Sequence, residues 1–348
     1  MTISQDAVSG ALLIFAAYQE PSTQYMKKIL VTGGNGFIGS RLVKALNDSG
    51  YSVRCLLRRS SKTQRIEGLD YETSYGDVTD PASLLEAMKG CDGVMHLASL
   101  SNWNDIHSPK MEAVVVGGSK NVLEAAKQSG NLRVVYVSSS TAIDGTDAPT
   151  VLNEDSPFTL NKKTYSYAYA KKRVEAMCIE AAKAGLPVVM VNPAEVYGPN
   201  DYDQITSGNL IDFIKSDPCM VCKGGTAIVH VDDVAAGIIK AFEKGRSGER
   251  YFLGGENLDF TQIATITLKL AGKTQKTMLL PNGLISFIAK VGGALKIPLP
   301  FNPAVIPYAV KYWFVSNQKA RTELGATFRG PEDILRPTVE WIIAEKLV

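Results

Sequence analysis

No disulfide framework, no long apolar segment and no excess of either charge marks this chain, and each absence closes off a class of protein. Its five cysteines are scattered, and an odd count suits a reducing, cytoplasmic setting. Cys219 and Cys222 form a C-x-x-C, but no second pair or nearby histidine completes a zinc site, so the spacing reads as coincidence and no metal is expected. The 37 basic and 35 acidic residues nearly cancel, leaving a net charge of +2 and no argument for nucleic acid or an anionic surface from the chain as a whole. Nowhere does a run reach the roughly 18 apolar residues of a membrane helix, so no integral membrane segment is expected. The chain is long enough for a large core in one large domain or two.

Residues 1–25 differ in character from the rest of the chain. Their apolar run Ala11–Ala17 is too short to span a bilayer and lacks the basic flank of a signal peptide. Patterned chain begins at Met26-Lys27-Lys28. Met26 therefore reads as the natural start, or 1–25 as a loose extension outside the fold. The most apolar later stretch, Leu279–Val291, reads first as a buried or lid helix and second as a peripheral membrane contact.

What the chain does have is most concentrated at Lys27–Gly39. A short apolar strand runs into glycines spaced G-x-x-G-x-x-G, at Gly33, Gly36 and Gly39, and a helical pattern comes next with Ile38, Leu42, Val43 and Leu46 on one face. Glycine allows the tight strand-to-helix bend and close approach of backbone to a pyrophosphate. The helix N-terminus then offers free N–H groups and a positive dipole end. Strand, turn and helix in that order point to nucleotide binding.

Apolar strands alternate with amphipathic helices through the first two-thirds. Strand-like runs are Ile29–Thr32, Val53–Leu57, Gly93–Leu97, Val134–Val137 and Val188–Val191. Helical runs are Phe37–Asn47, Ala82–Lys89, Met111–Gln128 and Tyr167–Ala184. The alternation predicts an α/β fold, a Rossmann-type doubly wound parallel sheet with a smaller, discontinuous C-terminal substrate-binding region. Residues 26–200 with 227–255 are expected to form the nucleotide-binding part, and 201–226 with 256–348 the substrate part.

The second strand ends Leu56-Leu57-Arg58-Arg59-Ser60-Ser61-Lys62. An acid there would hold the ribose 2′-hydroxyl of NAD, whereas arginine suits the 2′-phosphate of NADP. With no carboxylate present and Arg58 able to bond a phosphate bidentately, NADP(H) is expected in preference to NAD(H), which stays open. Gly76-Asp77-Val78 resembles a place where Asp77 accepts from an adenine amino group.

Tyr167 and Lys171 stand at i and i+4 on one helix face. A tyrosine hydroxyl with its usual pKa near 10 is a poor acid–base group at neutral pH, and a neighbouring ammonium favours the phenolate. Ser138-Ser139-Ser140-Thr141 comes directly after the strand Val134–Val137, where a doubly wound sheet places ligands. Hydroxyls there can hold a substrate oxygen.

These motifs together resemble the extended short-chain dehydrogenase/reductases, the NAD-dependent epimerase/dehydratase family, from Met26 to Trp341. They are joined by His96-Leu97-Ala98-Ser99, Asn192-Pro193, Val196-Tyr197-Gly198-Pro199 and His230-Val231-Asp232-Asp233-Val234. Ser316–Ala320 with Glu323-Leu324-Gly325 is similar to the dihydroflavonol-4-reductase-like branch, which also holds hopanoid-associated sugar epimerases. The resemblance implies that Tyr167 gives or takes the proton and that Lys171 lowers its pKa. Ser139 would orient the substrate oxygen, with Ser140 left open by the run of three serines. It implies a cofactor site of Gly33, Gly36, Phe37, Ile38, Gly39, Arg58, Asp77, Val78, Leu97, Ala98, Ser99, Tyr167, Lys171, Asn192, Pro193 and Val196. Three positions depart from the pattern. Val115 stands where members often carry an asparagine, Ala170 where a serine often precedes the lysine, and Thr226 where nucleotide-sugar enzymes commonly have an arginine.

The resulting expectation is an NAD(P)-dependent oxidoreductase moving a hydride between NADP(H) and a ketone or secondary alcohol. A nucleotide-sugar epimerase or dehydratase is the alternative, and a non-catalytic NADP-binding regulator a third. The partner is a small-molecule substrate, with a homodimer open. Trp103, Tyr197, Tyr202 and Phe287 are expected to give its pocket an aromatic, apolar lining.

Overall fold

The computed structural model describes residues 27–100, 103, 105–295, 299 and 301–348, so the expectation for residues 1–25 lies outside the described residues. In chain order the first half runs β1 Lys28–Thr32, α1 Phe37–Asp48, β2 Ser52–Leu57, β3 Glu72–Tyr75, α2 Pro81–Met88, β4 Gly93–His96, α3 Gly118–Gln128, β5 Arg133–Val137, α4 Ser166–Lys183 and β6 Val188–Pro193. The second half runs β7 Glu195–Tyr197, α5 Ser207–Lys215, β8 Cys219–Cys222, β9 Gly225–His230, α6 Val231–Lys244, β10 Arg250–Leu253, β11 Glu256–Asp259, α7 Phe260–Leu270, β12 Thr277–Leu280, α8 Asn282–Leu295, α9 Ile306–Ala309, β13 Tyr312–Trp313 and α10 Pro331–Ala344.

Seven parallel strands form the large sheet in the order β3-β2-β1-β4-β5-β6-β10. Every residue of β4 and β6 is buried, as expected where both faces are covered. One face packs on α1 and α6, the other on α2, α3 and α4. Strand order reverses between β1 and β4, which opens a crevice above their carboxyl ends.

A smaller sheet gathers β7, β11 and β13 around β9. Within 227–255, therefore, only β10 pairs with the large sheet. A third core joins α5, α7 and α10 beside the small sheet. The expected helix over Met111–Gln128 is present in two parts, a π-helical stretch Met111–Gly117 continuing into α3.

The apolar run Leu279–Val291 is not buried. It finishes β12 and forms most of α8, whose Leu284, Phe287, Ile288, Val291 and Leu295 face solvent. Their i, i+3, i+4, i+7, i+11 spacing puts them on a single side of the helix. Hydropathy alone carries no sign of which side of a helix finds a partner.

Candidate functional site

β1 delivers the chain into the crevice at Gly33, which has φ +74°, a left-handed conformation glycine adopts without strain. A Cβ there would lie 2.8 Å from the Ala98 backbone nitrogen, and one on Gly39 would lie 2.0 Å from the Gly33 carbonyl oxygen. The glycine spacing thus permits β1, α1 and the chain after β4 to converge. Phe37, Ile38 and Gly39 open α1 with no acidic residue in the first turn and no side chain capping it. Its N–H groups and dipole are left to receive an anion, and the residues present fit a dinucleotide. Leu97 and Ala98 are fastened to β1 by backbone N–H bonds to the Thr32 carbonyl (3.0 Å) and hydroxyl (3.2 Å). The buried Ser99 hydroxyl has no hydrogen-bond partner among the described residues.

The basic turn after β2 lies beside this loop, because Asn35 donates to the Lys62 carbonyl at 2.9 Å. Arg58 is exposed. Its backbone N–H is held by Ser61 Oγ at 3.0 Å, while its guanidinium has no ion pair or hydrogen bond among the described residues. Arg59 lies over the Tyr75 ring at 4.9 Å. Asp77 Oδ1 accepts from the Thr79 N–H and hydroxyl, a local turn that fixes its carboxylate. Val78 is buried, and its carbonyl accepts from Asn121.

At the carboxyl end of β5 the three serines part company. Ser138 Oγ donates to the buried Glu175 carboxylate at 2.7 Å. Ser140 is buried in a 3-10 turn that Ser139 caps through the Thr141 N–H. Only the Ser139 hydroxyl faces Tyr167, where it favours the ionised phenol against a larger opposing effect of burial, so the Tyr167 pKa is raised overall. Tyr167 is half-buried, whereas Lys171 is buried. Its Nζ donates to the Val137 carbonyl at 3.0 Å and stands 5.9 Å from the Tyr167 ring centre. Burial lowers its pKa to about 8, opposed by Glu175. The ammonium is engaged by a strand carbonyl, and desolvation leaves the phenol neutral.

Glu175, which the sequence pattern did not single out, organises this end of the site. Besides Ser138 it accepts from Asn192 Nδ2 and forms a buried ion pair with Arg250 at 3.0 Å. Asn192 in turn donates to the Ser139 carbonyl at 2.8 Å, so β6 fixes the register of Ser139. The available signal was an acid four residues after Lys171, on a helix face otherwise destined for burial. Behind Lys171 lie further buried polar groups. His96 bonds Thr32 and Ser119 at 2.6 and 2.9 Å, and burial drops its pKa to about 3. Lys171 Nζ lies 5.2 Å from the Tyr136 ring. Pro193 and Val196 are buried at the end of β6 and in β7.

Residues 29–254, from β1 to the end of β10, match the NAD-dependent epimerase/dehydratase family. The chain belongs to that family. It is similar to a Synechocystis sp. protein provisionally named dihydroflavonol 4-reductase, at 30% identity over 89% of this chain and 93% of the relative. It also resembles a Stigmatella aurantiaca protein named 4-hydroxy-2-methyl-3-oxo-4-farnesyl-3,4-dihydroquinoline-1-oxide ketoreductase, at 29% identity over 86% of this chain and 91% of the relative. Among solved structures, gox2253 superposes with a TM-score of 0.78 at 28% identity, covering 92% of this chain and 98% of that one. Enzymes of the NAD-dependent epimerase/dehydratase family use NAD(P), and the glycine cradle fits that use.

Two departures from the family pattern take physical form. Val115 is buried in the π-helical stretch, with no polar atom to offer Lys171. Thr226 lies in β9, and its hydroxyl bonds the Ala227 carbonyl. The expected aromatic lining does not assemble as a set. Trp103 packs edge-on to Tyr308 in the cluster that holds Tyr165, Tyr167 and Trp313. Tyr197 is buried in a different cluster, bonded to Glu195. Tyr202 packs on Trp341 and Arg65, and Phe287 is 64% exposed.

Proposed function

We propose that this chain is an NADP(H)-dependent reductase of an apolar ketone, able to run in either direction. The observation that carries the reading is the half-buried Tyr167 phenol set against the Ser139 hydroxyl at the carboxyl end of β5, with the Lys171 ammonium beside it. A ketone being reduced needs a proton at its oxygen as negative charge develops there. The Ser139 hydroxyl donates a hydrogen bond to that oxygen, and Tyr167 gives up its phenolic proton to it. Lys171, largely protonated at neutral pH with a pKa of about 8, stabilises the phenolate left behind. When bound, the nicotinamide supplies or accepts the hydride. Arg58 would hold the 2′-phosphate, with Arg59 and Lys62 adjoining.

The aromatic cluster of Tyr165, Tyr308 and Trp313 around Tyr167 supports an apolar substrate. So does the farnesyl-bearing ring in the name of the Stigmatella relative. The sugar-nucleotide alternative needs cations for two phosphates, and Thr226 supplies none. The test is to measure NADPH and NADH affinities, then screen aryl and terpenoid ketones for NADPH oxidation. Preference for NADPH is expected, with Arg58→Asp reversing it. Equal affinity for both nucleotides, or tight binding of UDP or dTDP, would sink the reading.

A further inference from the structure

Of thirteen exposed large hydrophobic residues among the described residues, eight lie on β8, β12 or α8. Soluble surfaces scatter such side chains, and a contiguous group of them marks an interaction site. On α8 they form the single stripe from Leu284 to Leu295, with Phe287 and Leu295 each more than 60% exposed. Met220 and Met278, register partners on β8 and β12, are exposed in the strands that lead to it. The helix is fastened to this ribbon, since Asn282 exchanges two hydrogen bonds with the Lys223 backbone at 2.6 and 2.9 Å.

Charge identifies the occupant. The near-neutral balance of the whole chain hides a local imbalance, for Phe260 to Thr322 contains no aspartate or glutamate and eight lysines or arginines. Lys273, Lys276 and Lys290, together with Lys223, are exposed and form no ion pair among the described residues. An apolar helical stripe flanked by free lysines matches the interface of a bilayer carrying anionic lipid, where the stripe enters the acyl boundary and the ammonium groups reach phosphate. A second copy fits worse. A two-fold contact through α8 would lay this acid-free segment against itself.

We propose that α8 and the β8–β12 ribbon are a peripheral docking surface for anionic membranes. Such docking is independent of which reaction the site performs. Flotation of the full chain with phosphatidylcholine vesicles, with and without phosphatidylglycerol, tests it. The wild type should float with the anionic vesicles and only weakly with the neutral ones. Leu284→Ser combined with Phe287→Ser should abolish flotation on both. Lys276→Glu combined with Lys290→Glu leaves the apolar stripe intact and should lower anionic binding by more than tenfold, since each lysine contributes about fivefold. Unchanged melting temperature and nucleotide affinity would show that both variants fold. A wild type that stays in solution, or variants that float like it, would overturn the proposal. So would a stable dimer that Phe287→Ser converts to monomer, because a second copy would then cover the face.

Discussion

Tyr167 gathers the chemistry onto one oxygen atom, and its removal is the sharpest test at the scale of a residue. Tyr167→Phe deletes the proton and little volume. Turnover of a confirmed ketone should fall about 10²–10⁴-fold while nucleotide affinity and melting temperature hold. Full turnover would rule out the proposed proton path. Lys171 gives a second test, read from stability. Its pKa sits at about 8 in the fold against an ordinary 10.5. Between those values the folded chain binds fewer protons at this site than the unfolded chain does. Raising the pH through that window therefore stabilises the fold through Lys171, by roughly 3 kcal/mol at most. Denaturant unfolding of wild type and Lys171→Met across the window should show the wild type gaining on the variant as pH rises. A constant difference would mean that the ammonium is not held in a desolvated site.

At the scale of elements, what was legible in the sequence was local. Three glycines at fixed spacing between an apolar strand and an amphipathic helix can fold in few ways, and β1, its turn and α1 are where that pattern puts them. Gly39→Ala should confirm how tightly the turn is built. Its Cβ would meet a backbone oxygen at 2.0 Å, which no rotamer relieves. Nucleotide affinity should drop at least tenfold, measurable by titration, with a lower melting temperature. Affinity equal to wild type would show that the turn can open. Elements the sequence did not reveal lacked such patterns. The edge strand β3 is Glu72-Thr73-Ser74-Tyr75, with no buried residue to give it an apolar signature. β7 and β13 are three and two residues long and exist because β9 lies beside them. Register among the three serines was likewise unreadable, because it is set from β6 and α4 rather than by the run itself.

For the whole molecule, Glu175 and Arg250 join positions 75 residues apart, a pairing no local pattern encodes. The pair ties α4 to β10, and Glu175 adds β5 and β6 through Ser138 and Asn192. Glu175→Ala would leave Arg250 buried without its counter-charge and should cost about 3–5 kcal/mol, read as a lowered denaturant midpoint. A loss within error of zero would mean that water reaches Arg250. The order of the strands also bears on synthesis. The large sheet has all its strands once Leu253 has been made, whereas the small sheet waits for Trp313 and the third core for α10. A growing chain can therefore pair every strand of the large sheet while residues that pack on its two faces, Val315 to Ala326 on one and Tyr308 with Trp313 on the other, are still on the ribosome. For that interval a sheet complete in its own hydrogen bonds stands with part of each apolar face still open to water.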